Sequence, residues 1–483
     1  MGEPLPRKVF RESVWLFGSY SLTKLGRMAM MLIVAALLSP QEYGIIGLCG
    51  VIVMAAEIIN EFGIWSTVVY RSNLDERFLS TAFTMNVLNG FITATGLFLA
   101  APWIAHFYGI PEITDFLRIM GVALIPKGIF YVPDGLLRKE LSFKSRALPE
   151  IAGTFAAVVV TVTLLLLGVG ILSYALGFVV EGIFRCIFTV TKVSRHLKLG
   201  LSWLSLREIS SYSKHILGAD VAKHISSNID YLIVGSVLGA GPLGLYTLAF
   251  NLANYPVTNF ADILSRIVFP TFAAMREDPD YARRNYLNMI QIVAALVTPL
   301  LVVLALLATP IIVGLLGEKW QPAVFPLQII AVAGISRAVS YPGLDMLRAF
   351  GFPGIPFKLS LFEGLLISGL LLLVASRGIE TVALSVAIIL SLTSWTATMI
   401  TCWTFEIGRW ELGRALVPGV ALAASAAVPI LSLRLLGVSL LPDALELIVL
   451  ITAASAGIAI CLATICRSHL RKIVTLAASV KRK

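Results

Sequence analysis

Long apolar stretches separated by short polar connectors run the whole length of this chain. Stretches of spanning length fall at about 13–38, 44–69, 79–104, 116–134, 148–168, 172–192, 211–238, 244–271, 287–309, 323–348, 357–376, 380–404, 413–434 and 445–466. Each is near the ~20 residues that carry a helix across a hydrocarbon core. Only helices or closed barrels satisfy their backbone in lipid, so the pattern predicts an all-α polytopic membrane protein with about 14 transmembrane helices. The connectors are built from turn formers, as in Ser39-Pro40, Gly239-Ala240-Gly241-Pro242 and Gly351-Phe352-Pro353-Gly354. No stretch is left over for a soluble domain, and the first span carries Lys24 and Arg27 where a cleavable leader would be purely apolar.

Composition agrees. The 483 residues are 58% hydrophobic and 14% charged, against ~25% charged in a soluble domain. A cytosolic enzyme, a disordered chain, a disulfide-stapled secreted domain and a fibre are excluded. The net charge of +10 could mark a nucleic-acid partner or membrane topology, and its distribution decides. With the N-terminus cytoplasmic, the outer connectors hold only Lys319, Arg377 and Arg434, while the inner face collects most of the rest, down to the tail Lys481-Arg482-Lys483. That bias orients polytopic proteins, so no nucleic acid is needed to explain it. The five cysteines (Cys49, Cys186, Cys402, Cys461, Cys466) form no CxxC pair and lie in or beside spans. Packing is their expected role, with no metal site and no cofactor.

A shift of 200 residues lays the first hairpin, Leu38-Ser39-Pro40-Gln41-Glu42-Tyr43-Gly44, on Leu238-Gly239-Ala240-Gly241-Pro242-Leu243-Gly244. Six spans per unit is an even number, so the two units share an orientation and are related by a pseudo-two-fold axis along the membrane normal. The expected organisation is a six-helix bundle over 1–195, a second over 196–408, and two extra helices with a basic tail over 409–483. Parallel bundles of this kind are a transporter architecture working by alternating access.

Eight basic residues remain inside spans: Lys24, Arg27, Arg118, Lys127, Arg185, Lys223, Arg266 and Arg337. A charge at the bilayer centre costs at least ~2.5–3.5 kcal/mol, so each needs a partner, a wet cavity or the interface. Helical spacing groups them with other polar residues: Lys24 and Arg27 on the first span; Glu57, Asn60 and Glu61 on the second; Asp220, Lys223, His224, Ser227 and Asn228 on the seventh. Asn251, Asn254, Tyr255, Asn259, Asp262 and Arg266 follow on the eighth, and Arg337, Ser340, Tyr341 and Asp345 on the tenth. Some have plain structural readings. Glu181 and Arg185 are four apart and can neutralise each other, Asp262 and Arg266 likewise, and Arg118 is near enough to the interface to snorkel. For the others a cationic central cavity is the expectation, with Lys24, Arg27, Lys127, Lys223, Arg266 and Arg337 as anion ligands and Asn251, Tyr255, Asn259 and Tyr341 as polar lining. Converging Lys and Arg suit phosphate or pyrophosphate, and amide and hydroxyl stripes suit sugars.

The hairpin Leu38-Ser39-Pro40-Gln41-Glu42-Tyr43-Gly44, the run Glu61-Phe62-Gly63-Ile64 with Val68-Val69-Tyr70-Arg71, Phe107-Tyr108, and Arg138-Lys139-Glu140-Leu141-Ser142-Phe143-Lys144 resemble bacterial polysaccharide transporters of the oligosaccharide flippase type. These belong to the multidrug/oligosaccharidyl-lipid/polysaccharide exporter superfamily, and the colanic-acid-exporter-like branch looks nearest. The resemblance implies movement of undecaprenyl-pyrophosphate-linked oligosaccharide from the cytoplasmic to the periplasmic leaflet of the inner membrane. It also implies pathway partners (a polymerase and glycosyltransferases) and coupling to a proton or sodium gradient, for which Glu57, Glu61, Asp220 and Asp262 are the candidate carboxylates. Cations on the first, second and eighth helices bind pyrophosphate in related flippases. Lys24, Arg27 and Arg266 occupy comparable spans, while the second span offers Glu57 and Glu61 instead of a cation. The resemblance further implies that the last two helices help form a groove for the lipid tail. The alternative within the superfamily is a drug or metabolite antiporter, for which a net acidic cavity is expected. A membrane polymerase, ligase or glycosyltransferase needs a large outward loop. The longest outward connectors, 106–115 and 310–321, are about a dozen residues, so no enzyme is expected.

Overall fold

The computed structural model describes residues 5–71, 74–140, 142–193, 197–276, 278–437 and 443–464. Among them there is helix and no strand. The helices are α1 (Leu5–Leu37), α2 (Pro40–Glu61), α3 (Ile64–Tyr70), α4 (Glu76–Tyr108), α5 (Glu112–Val122), α6 (Leu124–Lys139), α7 (Phe143–Leu166), α8 (Leu172–Val193) and α9 (Trp203–Leu238). They continue as α10 (Ala240–Ala274), α11 (Pro279–Leu306), α12 (Ala308–Leu316), α13 (Val324–Ala349), α14 (Gly354–Val374), α15 (Ile379–Thr404), α16 (Arg409–Leu435) and α17 (Asp443–Thr464).

Twelve spans among the described residues are long and apolar enough to cross a membrane. The expected fourteen are not all met on that measure, because α9 and α10, at 36 and 35 residues the positions of the seventh and eighth spans, are not among the twelve. Their polar stripes, with His224 and Asn228 on one and Asn251 and Asn254 on the other, dilute the apolar content over every turn. Two other spans are helix pairs: α2 runs into α3, and α5 into α6.

Local chemistry places the first hairpin. Ser39 caps α2, its Oγ accepting from the Glu42 amide at 3.3 Å while Glu42 Oε2 accepts from the Ser39 amide at 2.8 Å, and Pro40 takes the first turn where its missing N–H is not needed. Gly44, four residues on, meets the hairpin 200 residues later. A Cβ on Gly44 would overlap the Ala240 carbonyl, and a Cβ on Gly244 would overlap the Pro40 carbonyl. Residues 40 and 44 therefore contact 240 and 244 reciprocally, as two copies of one hairpin do where they cross, and only glycine permits so close a backbone approach.

The chain packs as two compact units, Met1–Gly244 and Leu245–Lys483. In the first, α7 packs on α8 and α1, α4 on α5 and α6, and α9 on α2, α3 and α4. Its core includes Ile64, Val68, Phe78, Ala82, Val132 and Ile209. In the second, α11 packs on α13 and α16, α13 on α15, and α16 on α17. Here Val268, Phe272, Tyr286, Ile290 and Val339 form one core, and Leu307, Ala426, Ile430, Leu450 and Ala454 a smaller one. Large apolar side chains elsewhere face outward, among them Trp103, Trp203, Trp403 and Leu435, as suits a surface whose solvent is lipid.

Candidate functional site

The first unit's polar chemistry gathers where its second span is interrupted. α2 stops at Glu61, Phe62 and Gly63 both take left-handed conformations (φ 49° and 62°), and α3 starts at Ile64. Glycine adopts that region freely, whereas a non-glycine residue there costs on the order of 1–2 kcal/mol, so the surroundings must hold Phe62 in place. The interruption strips carbonyls at the end of α2 of their helical donors. Asn89 on α4 replaces them, its Nδ2 donating to the carbonyls of Ile59 (2.7 Å) and Asn60 (2.9 Å). Asn60 Nδ2 in turn donates to the Leu124 carbonyl at the joint between α5 and α6 (2.7 Å), and Asn86 Nδ2 to the Gly128 carbonyl (3.1 Å). Asn60 and Asn86 are fully buried.

Beside this break lies a cavity of about 200 Å³. Glu57, Glu61 and Trp65 line it from α2 and α3; Lys127, Phe130, Tyr131, Asp134 and Arg138 from α6; Gly182 and Arg185 from α8. Residues 127, 131, 134 and 138 recur at three and four, which puts them on one helical face. Lys127 Nζ donates to Glu57 and sits 3.8 Å from the Phe178 ring centre. Asp134 accepts from Arg138 Nε at 2.6 Å and from Arg146 Nε at 2.8 Å, and Arg138 lies 4.4 Å over Trp65. Arg185 stacks on Phe130 at 5.0 Å and reaches Glu181 at 3.6 Å. Glu181 also accepts from Arg27 Nη2 at 2.6 Å. Glu61 differs from its neighbours, with no cation within 4.0 Å among the described residues. Three carboxylates (Glu57, Glu61, Asp134) thus face three cations (Lys127, Arg138, Arg185) across the cavity.

The structure sorts the sequence candidates. Lys127, Glu57 and Glu61 line the cavity, and Arg27 joins its edge through Glu181. Lys24 lies over Tyr20 of its own helix at 5.1 Å. Asp220 and Lys223 are exposed on α9, whose His224 Nε2 lies 2.9 Å from the Val51 carbonyl and ties α9 to α2. In the second unit Arg337 Nη1 donates to Asn254 Oδ1 at 2.9 Å, and Asn251, Tyr255, Asn259 and Tyr341 are half-buried on the same two helices, α10 and α13. Asp262 and Arg266 belong to α10, but their side chains lie outside the described residues. Arg118 stacks on Phe98 at 4.5 Å.

Asp134 and Arg138 are wall residues, although their sequence positions place them at the inner interface. A signal for them exists, because with Lys127 and Tyr131 they make a polar stripe on one helix. Cations near an inner connector are equally well explained by topology, and that hides the stripe. No group of three or more His, Cys, Asp or Glu among the described residues is arranged to hold a metal ion.

Among its described residues this is a helical membrane protein with a charge-lined cavity inside one unit. Residues 33–325, more than half of the chain, match the family of polysaccharide biosynthesis proteins, and the chain belongs to that family. It is 27% identical over 361 residues to the teichuronic acid biosynthesis protein TuaB of Bacillus subtilis, covering 74% of this chain and 72% of that one. It is 25% identical over 353 residues to the lipopolysaccharide biosynthesis protein WzxC of Escherichia coli, covering 70% and 69%. Its fold matches the lipid II flippase MurJ in an inward closed conformation with a TM-score of 0.74, at 14% identity over 95% of this chain and 100% of that one.

Proposed function

We propose that this protein is a flippase for lipid-linked oligosaccharide, moving undecaprenyl-pyrophosphate-linked repeat units from the cytoplasmic to the periplasmic leaflet of a bacterial inner membrane. Membership of the polysaccharide biosynthesis family and the names of its relatives support this reading. The observation that carries the reading is the cavity, where Lys127, Arg138 and Arg185 converge inside an apolar bundle. Such cations are retained against a cost of several kcal/mol where they meet an anion; here each has a carboxylate partner, which a phosphate can replace because charge-assisted hydrogen bonds to its oxygens are among the strongest available. The cavity holds about 200 Å³, roughly six or seven water molecules by volume. That is the scale of a pyrophosphate headgroup and far short of an oligosaccharide, so the headgroup is the part recognised here.

In this reading the protein transports and does not catalyse, both termini are cytoplasmic, and a proton or sodium gradient drives the cycle. Glycosyltransferases build the cargo and a polymerase consumes it. Reconstitution into proteoliposomes with a fluorescent lipid-linked oligosaccharide tests the proposal. Transfer between leaflets faster than in protein-free vesicles is expected. A rate equal to that of empty vesicles, or extrusion of a cationic dye in its place, would defeat it.

A further inference from the structure

We propose that the start of α9 is a docking site for an anionic phospholipid, whose phosphate sits between Arg207 and Lys214 and whose acyl chains follow the same face of the helix into the bilayer. The site lies apart from the first unit's cavity and does not depend on the flippase reading.

α9 begins at Trp203, and the chain just before it is strapped to α4. The Gly200 amide donates to Thr84 Oγ1 at 2.9 Å and the Ser202 amide to Thr81 Oγ1 at 3.0 Å, while Lys198 pairs with Glu76. One face of the helix is then buried through Ser205, Ile209 and Ser213, with Ser213 Oγ 3.2 Å from Thr67 Oγ1 of α3. These contacts fix the rotation of α9, and with it what the remaining faces present.

Trp203, Leu206, Arg207, Ser210, Ser211 and Lys214 line a groove of about 440 Å³ away from the buried face. Trp203, Arg207, Ser210 and Lys214 recur at four, three and four, which stacks them along one side of the helix. Neither cation has a carboxylate within 4.0 Å among the described residues. Glu208, the acid next to Arg207 in sequence, is turned to another side, where it pairs with Arg71 at 3.2 Å. Arg207 and Lys214 are about 10 Å apart along the helix axis, a gap that two long side chains close around one phosphodiester. The serine hydroxyls between them can donate to its oxygens.

The surroundings select a lipid over a soluble anion. Trp203 is 80% exposed, and Leu199, Leu201 and Leu204 beside it are 73%, 66% and 79% exposed. Such a cluster is costly in water. It matches a membrane interface, where an indole ring sits at headgroup level and Lys and Arg snorkel to the phosphates. Beyond Lys214 the same face turns apolar through Leu217, Val221 and Ile225, the last 46% exposed. Headgroup chemistry therefore precedes acyl-chain chemistry on one strip of helix, in the order in which a phospholipid presents them.

Native mass spectrometry of the full-length protein, released from micelles containing phosphatidylglycerol or phosphatidylcholine, counts the lipid retained and gives the affinity of the first one bound. Phosphatidylglycerol is expected to bind to the wild type. Arg207→Gln combined with Lys214→Gln is expected to weaken it about thirtyfold, at about fivefold for each cation near the headgroup. Arg284→Gln combined with Lys358→Gln removes the same charge from exposed positions of the second unit. That pair is expected to change the affinity by less than about twofold, because only cations at the headgroup contribute. All four side chains are exposed, so both double variants should keep the wild-type unfolding midpoint. Equal losses in the two double variants would reduce the effect to net charge and overturn the proposal, as would equal retention of phosphatidylcholine by the wild type. Competition separates the occupants. Displacement by inorganic phosphate at the lipid's own concentration would make this a soluble-anion site, and displacement by undecaprenyl pyrophosphate would make it part of the cargo path; either result overturns the assignment.

Discussion

Lys127 and Arg337 stand 210 residues apart, each on a helix whose neighbour belongs to the hairpin repeated at a spacing of 200, yet they meet different partners. Lys127 on α6 donates to the carboxylate of Glu57 on α2, while Arg337 on α13 donates to the amide oxygen of Asn254 on α10. One level closer to the helix ends the two units agree again: Asp134 pairs with Arg138 four residues on, at 2.6 Å, and Asp345 with Arg348 three residues on, at 3.1 Å. The first unit carries a network of interdependent charges around a cavity; between α10 and α13 an amide oxygen, Asn254 Oδ1, is one acceptor of the second unit's Arg337. The physical difference is that removing one member of a buried ion pair strands a charge, whereas removing a neutral acceptor leaves a donor short of one bond.

The comparison breaks most readily at Lys127. Lys127→Ala leaves the half-buried Glu57 without its cation and is expected to cost about 3 kcal/mol, the low end for breaking a buried pair, read as a lowered midpoint in thermal unfolding of the purified protein. The double variant Glu57→Gln with Lys127→Met should recover much of that loss. If the single variant is as stable as wild type, the pair is not the buried network described here. The hairpin crossing comes next. Gly44→Ala and Gly244→Ala each force a methyl into a backbone carbonyl of the opposite hairpin, a strain of about 1–3 kcal/mol. Because the contact is reciprocal, the two costs should agree within about 0.5 kcal/mol, and a one-sided cost in the same unfolding assay would contradict the repeat. Asn254→Ala is expected to be mildest, at about 1–1.5 kcal/mol for one lost hydrogen bond. A loss as large as that of Lys127→Ala would erase the contrast between the units.

Much of the fold was legible as a one-dimensional pattern. Apolar runs of spanning length, capped by Ser39 and Pro40 or broken at Gly351 and Gly354, require only local hydrogen bonding and lipid solvation to become helices. The internal repeat was legible too, because Gly44 and Gly244 hold the same place in two hairpins. The interruption of the second span was hidden: Glu61-Phe62-Gly63 sits inside one apolar stretch, and the asparagines that compensate its carbonyls come from 26 and more residues away. The same limit applied to Glu181. Its spacing to Arg185 predicted a pair within one helix, and that pair exists at 3.6 Å, but the shorter contact, 2.6 Å, comes from Arg27, 154 residues earlier.

By itself the sequence determined that this chain lives in a membrane, that it is built of long apolar helices, and which residues carry charge where lipid would refuse it. Those properties follow from hydropathy and helical periodicity, which are local. Which of the charges lining the cavity cancel was decided only by the tertiary structure. Neutralisation depends on distances of a few ångströms between helices far apart in the chain, and that is why Glu57 and Glu61, equivalent as letters four positions apart, became a paired carboxylate and one without a counter-ion.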